Sequence, residues 1–225
     1  MLQVDCGGLQ LGLLHERAVW WPQQQVLLIA DAHLGKAQSF RRLGVPVPQG
    51  TTPAALERLD RLLAATGAGH IVFLGDLVHS AQVHASATVE AVAAWRARRP
   101  ALRLTLVRGN HDRAAGELPP DWHIEVLDGP LQFGGLRLVH EPEAQTAPRP
   151  QDGGGVAYTL AGHLHPGVVV PGRAHQRLRL PCFHFGPQAG VLPAFGEFTG
   201  LSVQPRRMGD RLYAVAPDRV WEVPG

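Results

Sequence analysis

Three times along this chain a short apolar run leads straight into a polar residue able to hold a cation. Val26 to Ala30 meets Asp31, Ile71 to Leu74 meets Gly75-Asp76, and Leu102 to Val107 is followed, after Arg108, by Gly109-Asn110-His111-Asp112. Apolar runs of this length, bounded by turn residues, read as strands covered on both faces. Strands of that kind need helices between them, and the first is legible. Pro53 to Ala65 keeps Leu56, Leu59 and Leu63 on one face, with Pro53 suited to the first turn and Thr52 expected as the N-cap. Val89, Val92 and Ala93 mark a weaker second helix before Arg98-Arg99-Pro100. Such alternation implies an α/β sheet whose ligands gather beyond the carboxyl ends of its strands.

The pattern changes near Ile124. Beyond it come apolar stretches separated by Gly and Pro: Leu136 to Val139, Val156 to Leu160, Val168 to Val170, Leu178 to Leu180 and Leu212 to Val215. Strands without intervening helices predict a sheet-rich second half. The expectation is one α/β sandwich spanning residues 1–225, two sheet layers with helices outside and the polar clusters on one rim. Glu141 to Gly155 interrupts the pattern, since Pro142, Pro148, Pro150 and Gly153-Gly154-Gly155 disfavour regular structure. A loop there serves equally as linker or lid.

Composition excludes several classes. With 225 residues, 45% of them hydrophobic and 18% charged, the chain can bury a substantial core and is not disordered by composition. A net charge of +2 is too mild to argue for a nucleic-acid partner. Arginine clusters at Arg41-Arg42, Arg96 to Arg103 and Arg206-Arg207 are each read as solvated surface. Cys6 and Cys182 lack the spacing of a metal or redox motif, so a reduced, cytoplasmic protein is expected. No segment resembles a signal peptide or approaches the roughly 20 apolar residues of a membrane span.

The polar clusters carry the chemistry. To the three already named the chain adds His140 and Gly162-His163-Leu164-His165. Carboxylate, amide and imidazole in this mixture suit a pair of borderline-hard divalent cations, and one carboxylate can bridge two ions. In an extended segment residues i and i+2 share a side, so Asp31 with His33, and His163 with His165, are expected to reach one pocket that way. Hydrolysis assisted by two metals is the leading expectation. His111 is the candidate general acid, with Asp112 expected to orient its imidazole. His79 could line the mouth of the site. His15, His70, His84, His123, His175 and His184 read as surface or satisfied core residues, and Trp20, Trp21 and Trp95 as packing residues.

In this order, Asp31-x-His33, Gly75-Asp76, Gly109-Asn110-His111-Asp112, His140 and Gly162-His163-x-His165 resemble the motifs of the calcineurin-like metallophosphoesterase superfamily. The likeness covers roughly residues 26–170. It implies a four-layer αββα sandwich in which Asp31, His33 and His165 hold one ion, Asn110, His140 and His163 hold the other, and Asp76 bridges them. It also implies that His111 protonates the departing oxygen. The stretches Leu28 to Lys36, His140-Glu141-Pro142 and Phe195 to Gly200 look like those of the bacterial ligase-associated DNA damage response endonucleases. Glu141 stands where many superfamily members carry Gly. This resemblance implies a phosphodiesterase acting on DNA in repair, with Mn²⁺ favoured over Zn²⁺ or Fe²⁺ and a functional association with a DNA ligase and other repair proteins. Two rival readings are a nucleotide or lipid-nucleotide pyrophosphatase and a metal-free interaction scaffold.

Overall fold

The computed structural model describes residues 1–42, 44–46, 50–79, 86–142, 156–172 and 176–225. His84, His175 and residues 143–155 of the interrupting loop lie outside them. The chain opens on three antiparallel strands that the apolar runs did not announce: β1 (Leu2–Cys6), β2 (Leu9–Leu14) and β3 (Ala18–Trp21). Strand β4 (Val26–Ile29) pairs antiparallel with β3, and from there β5 (His70–Leu74), β6 (Arg103–Val107) and β7 (Glu125–Leu127) continue the sheet in parallel. Between them run α1 (Lys36–Arg42), α2 (Thr51–Thr66), α3 (Ser86–Ala97) and the short α4 (Asn110–Ala115).

The continuous apolar character of β4 follows from being covered on both faces. Leu27 and Ile29 pack with Leu56, Leu59 and Leu62 of α2 and with Val92 and Trp95 of α3. Val26 and Leu28 face the opposite way, into a core shared with the second sheet. The adjacent tryptophans of β3 divide in the same manner, Trp20 joining the helix side and Trp21 the inter-sheet side.

The second sheet holds β8 (Leu131–Phe133), β9 (Leu136–Leu138), β10 (Tyr158–Ala161), β11 (Pro166–Pro171), β12 (Arg177–Phe185), β13 (Ala189–Val191), β14 (Ser202–Val203), β15 (Arg211–Val215) and β16 (Val220–Val223). Its order is β14-β11-β12-β13-β10-β9-β8, with β15 pairing β12 and β16 pairing β15. Phe183, Phe185, Tyr213 and Val215 point at the first sheet. Cys182, Leu212 and Ala214, alternate residues of the same strands, form a smaller apolar cluster with Val168 and Val170. The protein is thus an α/β fold of two stacked sheets. Among the described residues every α-helix precedes β7, so the described helical layer covers the first sheet.

Two local expectations need correction. Thr52 does not cap α2: Gly50, in the left-handed region at φ 82°, precedes the helix, and Thr52 lies within it. Its hydroxyl instead accepts the Gly35 N–H at 3.2 Å, tying the helix to the loop after β4. Arg96 is not solvated: it is buried, and its Nε donates to the Trp122 carbonyl at 3.1 Å. Arg206, by contrast, is exposed as expected, and its Nη1 donates to the carbonyls of Val223 (3.1 Å) and Pro224 (2.9 Å). Cys6 and Cys182 are free and buried, and burial pushes their thiols up to about 11 and about 12.

Leu28, at the centre of the inter-sheet core, tests this packing. Leu28→Ala should cost about 2–5 kcal/mol through lost transfer energy and the cavity left behind. Urea denaturation is expected to show a lower midpoint with an unchanged slope.

Candidate metal centre

The rim is built by backbone pairing that continues past the strand ends. Asp31 N–H donates to the Gly75 carbonyl (3.1 Å), His33 N–H to Asp76 (2.9 Å) and Leu34 N–H to Leu77 (2.8 Å), so the loops after β4 and β5 run side by side. Gly162 N–H joins the loop after β10 to His140 (2.9 Å). Asp31, His33, Asp76, His163 and His165 all have positive φ, between 46° and 70°. The alternation expected of an extended segment is therefore not what aims these side chains. Left-handed turns do so, at about 1–2 kcal/mol per residue. Two glycines leave the room: a Cβ on Gly75, itself at φ 77°, would overlap the His140 ring, and one on Gly109 would overlap the Asp76 carboxylate.

Among the described residues three groups of donors result, the third being His33, His79 and His111, which shares His33 with the first. In the first, Asp31, His33 and His165 bring their ligand atoms within 4.8 Å of one another. His33 Nε2 and His165 Nε2 are 3.3 Å apart, and His165 Nε2 is 3.6 Å from Asp31 Oδ1. Asp31 is 0% exposed; its Oδ2 accepts the His163 N–H at 2.9 Å, while the buried Oδ1 has no hydrogen-bond partner. Burial, with the Lys36 charge next, drives His33 far below its ordinary range, so its ring is neutral. The second group is Asp76, His140 and His163. Asn110 Oδ1 joins it, 2.9 Å from His140 Nε2 and 3.2 Å from His163 Nδ1. His140 Nδ1 donates to the Leu74 carbonyl at 3.0 Å, which leaves Nε2 a lone pair, 3.4 Å from Asp76 Oδ1. Burial raises the Asp76 carboxyl above its usual value.

This arrangement fits divalent metal. In the first group a buried carboxylate oxygen without a hydrogen-bond partner faces imidazole nitrogens, and in the second two imidazole nitrogens face an amide oxygen and a carboxylate; each is a donor set that a divalent cation would satisfy. All seven expected ligands are on the rim. Asp76 lies with the second group and touches the first through its backbone carbonyl.

His111, on the first turn of α4, is half-exposed. Its N–H donates to Asp76 Oδ1 at 2.9 Å and its Nδ1 donates to the His79 carbonyl at 2.8 Å, while Nε2 stands 3.9 Å from Asp76 Oδ2. Asp112 does not orient that ring. Its carboxylate accepts the N–H groups of Val78 (3.0 Å) and Gly109 (2.9 Å), holding the loop after β5 to the start of α4. Burial raises its carboxyl. Sequence spacing favoured the adjacent carboxylate because a backbone carbonyl leaves no mark in residue identity. His79 does line the site: its ring stacks on His111 at 4.8 Å, and burial, with Lys36 next, lowers it to about 4.

The Phe195 to Gly200 stretch, known from sequence only by resemblance, braces the first group. Phe195 N–H donates to Ala30 (2.8 Å) and Gly196 N–H to Asp31 (2.9 Å). Arg58 of α2 packs over the Phe195 ring at 3.7 Å, donates to its carbonyl, and reaches Glu197 Oε1 at 2.8 Å. Other histidines behave as read: His184 pairs with Asp210 (2.7 Å), and His70 with the Thr105 hydroxyl (2.9 Å).

Fold and rim together define a phosphoesterase of the two-sheet, metal-centred type. The model of the calcineurin-like phosphoesterase family matches residues 25–145. The Pseudomonas putida nuclease MPE is similar over its whole length: 40% identity, 99% of each chain covered, TM-score 0.83. A phosphoesterase from E. coli, Yfce, is 17% identical over 88% of this chain and 97% of its own, with a TM-score of 0.42. No curated protein matches. The chain belongs to the calcineurin-like phosphoesterase family and is a metal-dependent phosphoesterase.

Asp112→Ala separates its structural from its catalytic reading. Two buried N–H groups would lose their acceptor, at about 1–3 kcal/mol each. The expected outcome is lower thermal stability and weaker metal binding together, measured by calorimetry, with no added sensitivity to leaving-group pKa.

Proposed function

We propose that the protein is a metal-dependent phosphodiesterase that cleaves DNA in bacterial repair. The rim geometry supports hydrolysis of a phosphate ester. The observation that carries the polymer substrate is the 40% identity to a nuclease across 99% of both chains, which extends well past the metal loops.

Asp31, His33 and His165 would hold one ion, Asn110, His140 and His163 the other, with Asp76 between them. When bound there, divalent ions would supply a lowered pKa for water and neutralisation of charge developing on phosphoryl oxygens. Asn110 contributes a neutral oxygen, so the centre keeps positive charge for an anionic diester. As water adds to phosphorus and the ester P–O bond breaks, His111, entering the step protonated on both ring nitrogens, would give its Nε2 proton to the departing oxygen and keep its Nδ1 proton on the His79 carbonyl, which holds the ring in place. Four imidazoles with three oxygen donors suit Mn²⁺, Zn²⁺ or Fe²⁺, and Mn²⁺ is the ion the resemblance to the repair endonucleases favours. DNA is the partner this reading requires, a DNA ligase and other repair proteins its functional associates. Two free buried thiols agree with a cytoplasmic setting. Among the described residues no helix is long and apolar enough to cross a membrane.

A substrate panel on Mn²⁺-loaded protein tests the reading. Cleavage of bis(p-nitrophenyl) phosphate and nicking of DNA are expected, both lost on chelation or with Asp31→Ala. Rapid hydrolysis of a dinucleotide pyrophosphate with DNA left intact would establish the small-molecule rival, and no turnover of any ester by metal-replete protein would favour the scaffold.

His111→Ala should keep its metal and lose roughly 10²–10⁴-fold in turnover of an alkyl-leaving diester. The loss should be smaller with p-nitrophenolate, which departs without protonation. Equal losses on both substrates would remove His111 from the proton-donor role.

A further inference from the structure

Phe198 carries an unexplained cost. It is 46% exposed and sits at φ 59°, a conformation a bulky side chain rarely adopts. Its surroundings hold it there: the braces on Phe195 and Gly196 fix the segment just before it, and the Thr199 hydroxyl donates back to the Gly196 carbonyl at 3.3 Å. The result is a phenyl ring held nearly half in solvent, with only part of the burial that would ordinarily offset the strain.

Its position is informative. Phe198 lines a shallow surface depression together with His33, Lys36, Thr52 and Glu197, one of which, His33, belongs to the first metal group. Lys36 is the first residue of α1, and its ammonium interacts with the Asp76 and Asp31 carboxylates through space. Among the described residues it forms no ion pair or side-chain hydrogen bond. Glu197, the one anion of the depression besides the metal ligands, is held by Arg58 at 2.8 Å and lies 3.9 Å from Arg17, so its charge is largely compensated. A cation beside the reaction centre and an aromatic face at the lip recognise two different parts of one ligand. A phosphate takes the first, and a planar base takes the second, because every base has a π-face.

We propose that Phe198 and Lys36 form a nucleotide subsite flanking the scissile phosphate, the phenyl face stacking on a base and the ammonium contacting the adjoining phosphate. This rests on the DNA-cleavage reading. A small diester has nothing to place on Phe198, so the subsite distinguishes a polymer from a minimal substrate.

The test uses Mn²⁺-loaded wild-type, Phe198→Ala, Phe198→Gly and Phe198→Trp enzymes, an oligonucleotide with 2-aminopurine at successive positions, and bis(p-nitrophenyl) phosphate. For Phe198→Ala the oligonucleotide KM should rise roughly 5- to 100-fold, the range of one base stack, with far less change in kcat. The small diester should lose much less. Phe198→Gly, whose backbone suits the left-handed turn, should show the same oligonucleotide loss at undiminished melting temperature, and Phe198→Trp should restore binding. Fluorescence of 2-aminopurine should be quenched at one position in wild type and released in Phe198→Ala; an abasic nucleotide there should erase the difference between them. Lys36→Met should flatten the salt dependence of binding by about one phosphate contact. DNA cleavage that is indifferent to Phe198, or equal losses on both substrates, overturns the subsite alone. Failure of the wild type to bind or cut DNA while it hydrolyses the diester overturns the nuclease reading and the subsite with it.

Discussion

Two carboxylates lie at the floor of the rim, Asp31 at 0% and Asp76 at 2% exposure, and the rest of the architecture answers the cost of putting them there. A buried carboxylate forfeits several kcal/mol of hydration and is tolerated only when hydrogen-bonded and opposed by positive charge. Each receives one backbone N–H, from His163 and His111 respectively. Neither is paired with a Lys or Arg at ion-pair distance among the described residues. The neighbours at 3.4 to 3.9 Å are histidine nitrogens, which complete the balance when a metal stands between them. The same requirement explains why the ligands come from both sheets: the charge is neutralised at the seam where the loops after β4, β5 and β6 meet those after β9 and β10.

Holding that seam closed falls to elements far from it in sequence. The segment from Ala194 to Gly196 runs along the loop after β4, where Ala30 bridges Ala194, and it is clamped from outside by Arg17 and Arg58. Helix α2 contributes twice, through Arg58 and through the Thr52 hydroxyl on Gly35. A helix that reads from sequence as simple core packing therefore also locates the first metal group. Ligand placement to within a few tenths of an ångström needs such support, since each left-handed turn would relax toward commoner backbone geometry if released.

The parts of this design that sequence makes legible are those set by burial and residue type. β4, β5 and β6 were readable because two covered faces demand unbroken apolar runs, and the ligands because few residue types bind metal. β1 to β3 were not, although β1 alternates and β3 is wholly buried: Leu9 to Leu14 includes a Gly and a Gln, and the tryptophans of β3 read only as packing residues. The two-residue spacing in Asp31-x-His33 and His163-x-His165 suggested a shared side, yet the geometry comes from positive φ, which non-glycine residues do not advertise. Asp112 was assigned to the His111 ring by adjacency. In an α-helix a carboxylate at the third position naturally turns back to the N-terminal amides, and this is what it does at Gly109.

That last exchange has a chemical consequence. The rings of His111 and His140 are each fixed by a backbone carbonyl, at His79 and Leu74, and not by a carboxylate. A neutral acceptor sets the tautomer without adding anionic charge or strengthening the ring's hold on its proton as an aspartate would. With Asn110 neutral and Asp112 occupied by amides, Asp31 and Asp76 are the only anions in the proposed ligand set. Divalent metal held by so few carboxylates would leave the centre cationic, which suits an anionic phosphate ester. A third carboxylate on His111 would have reduced that attraction and made its proton harder to release.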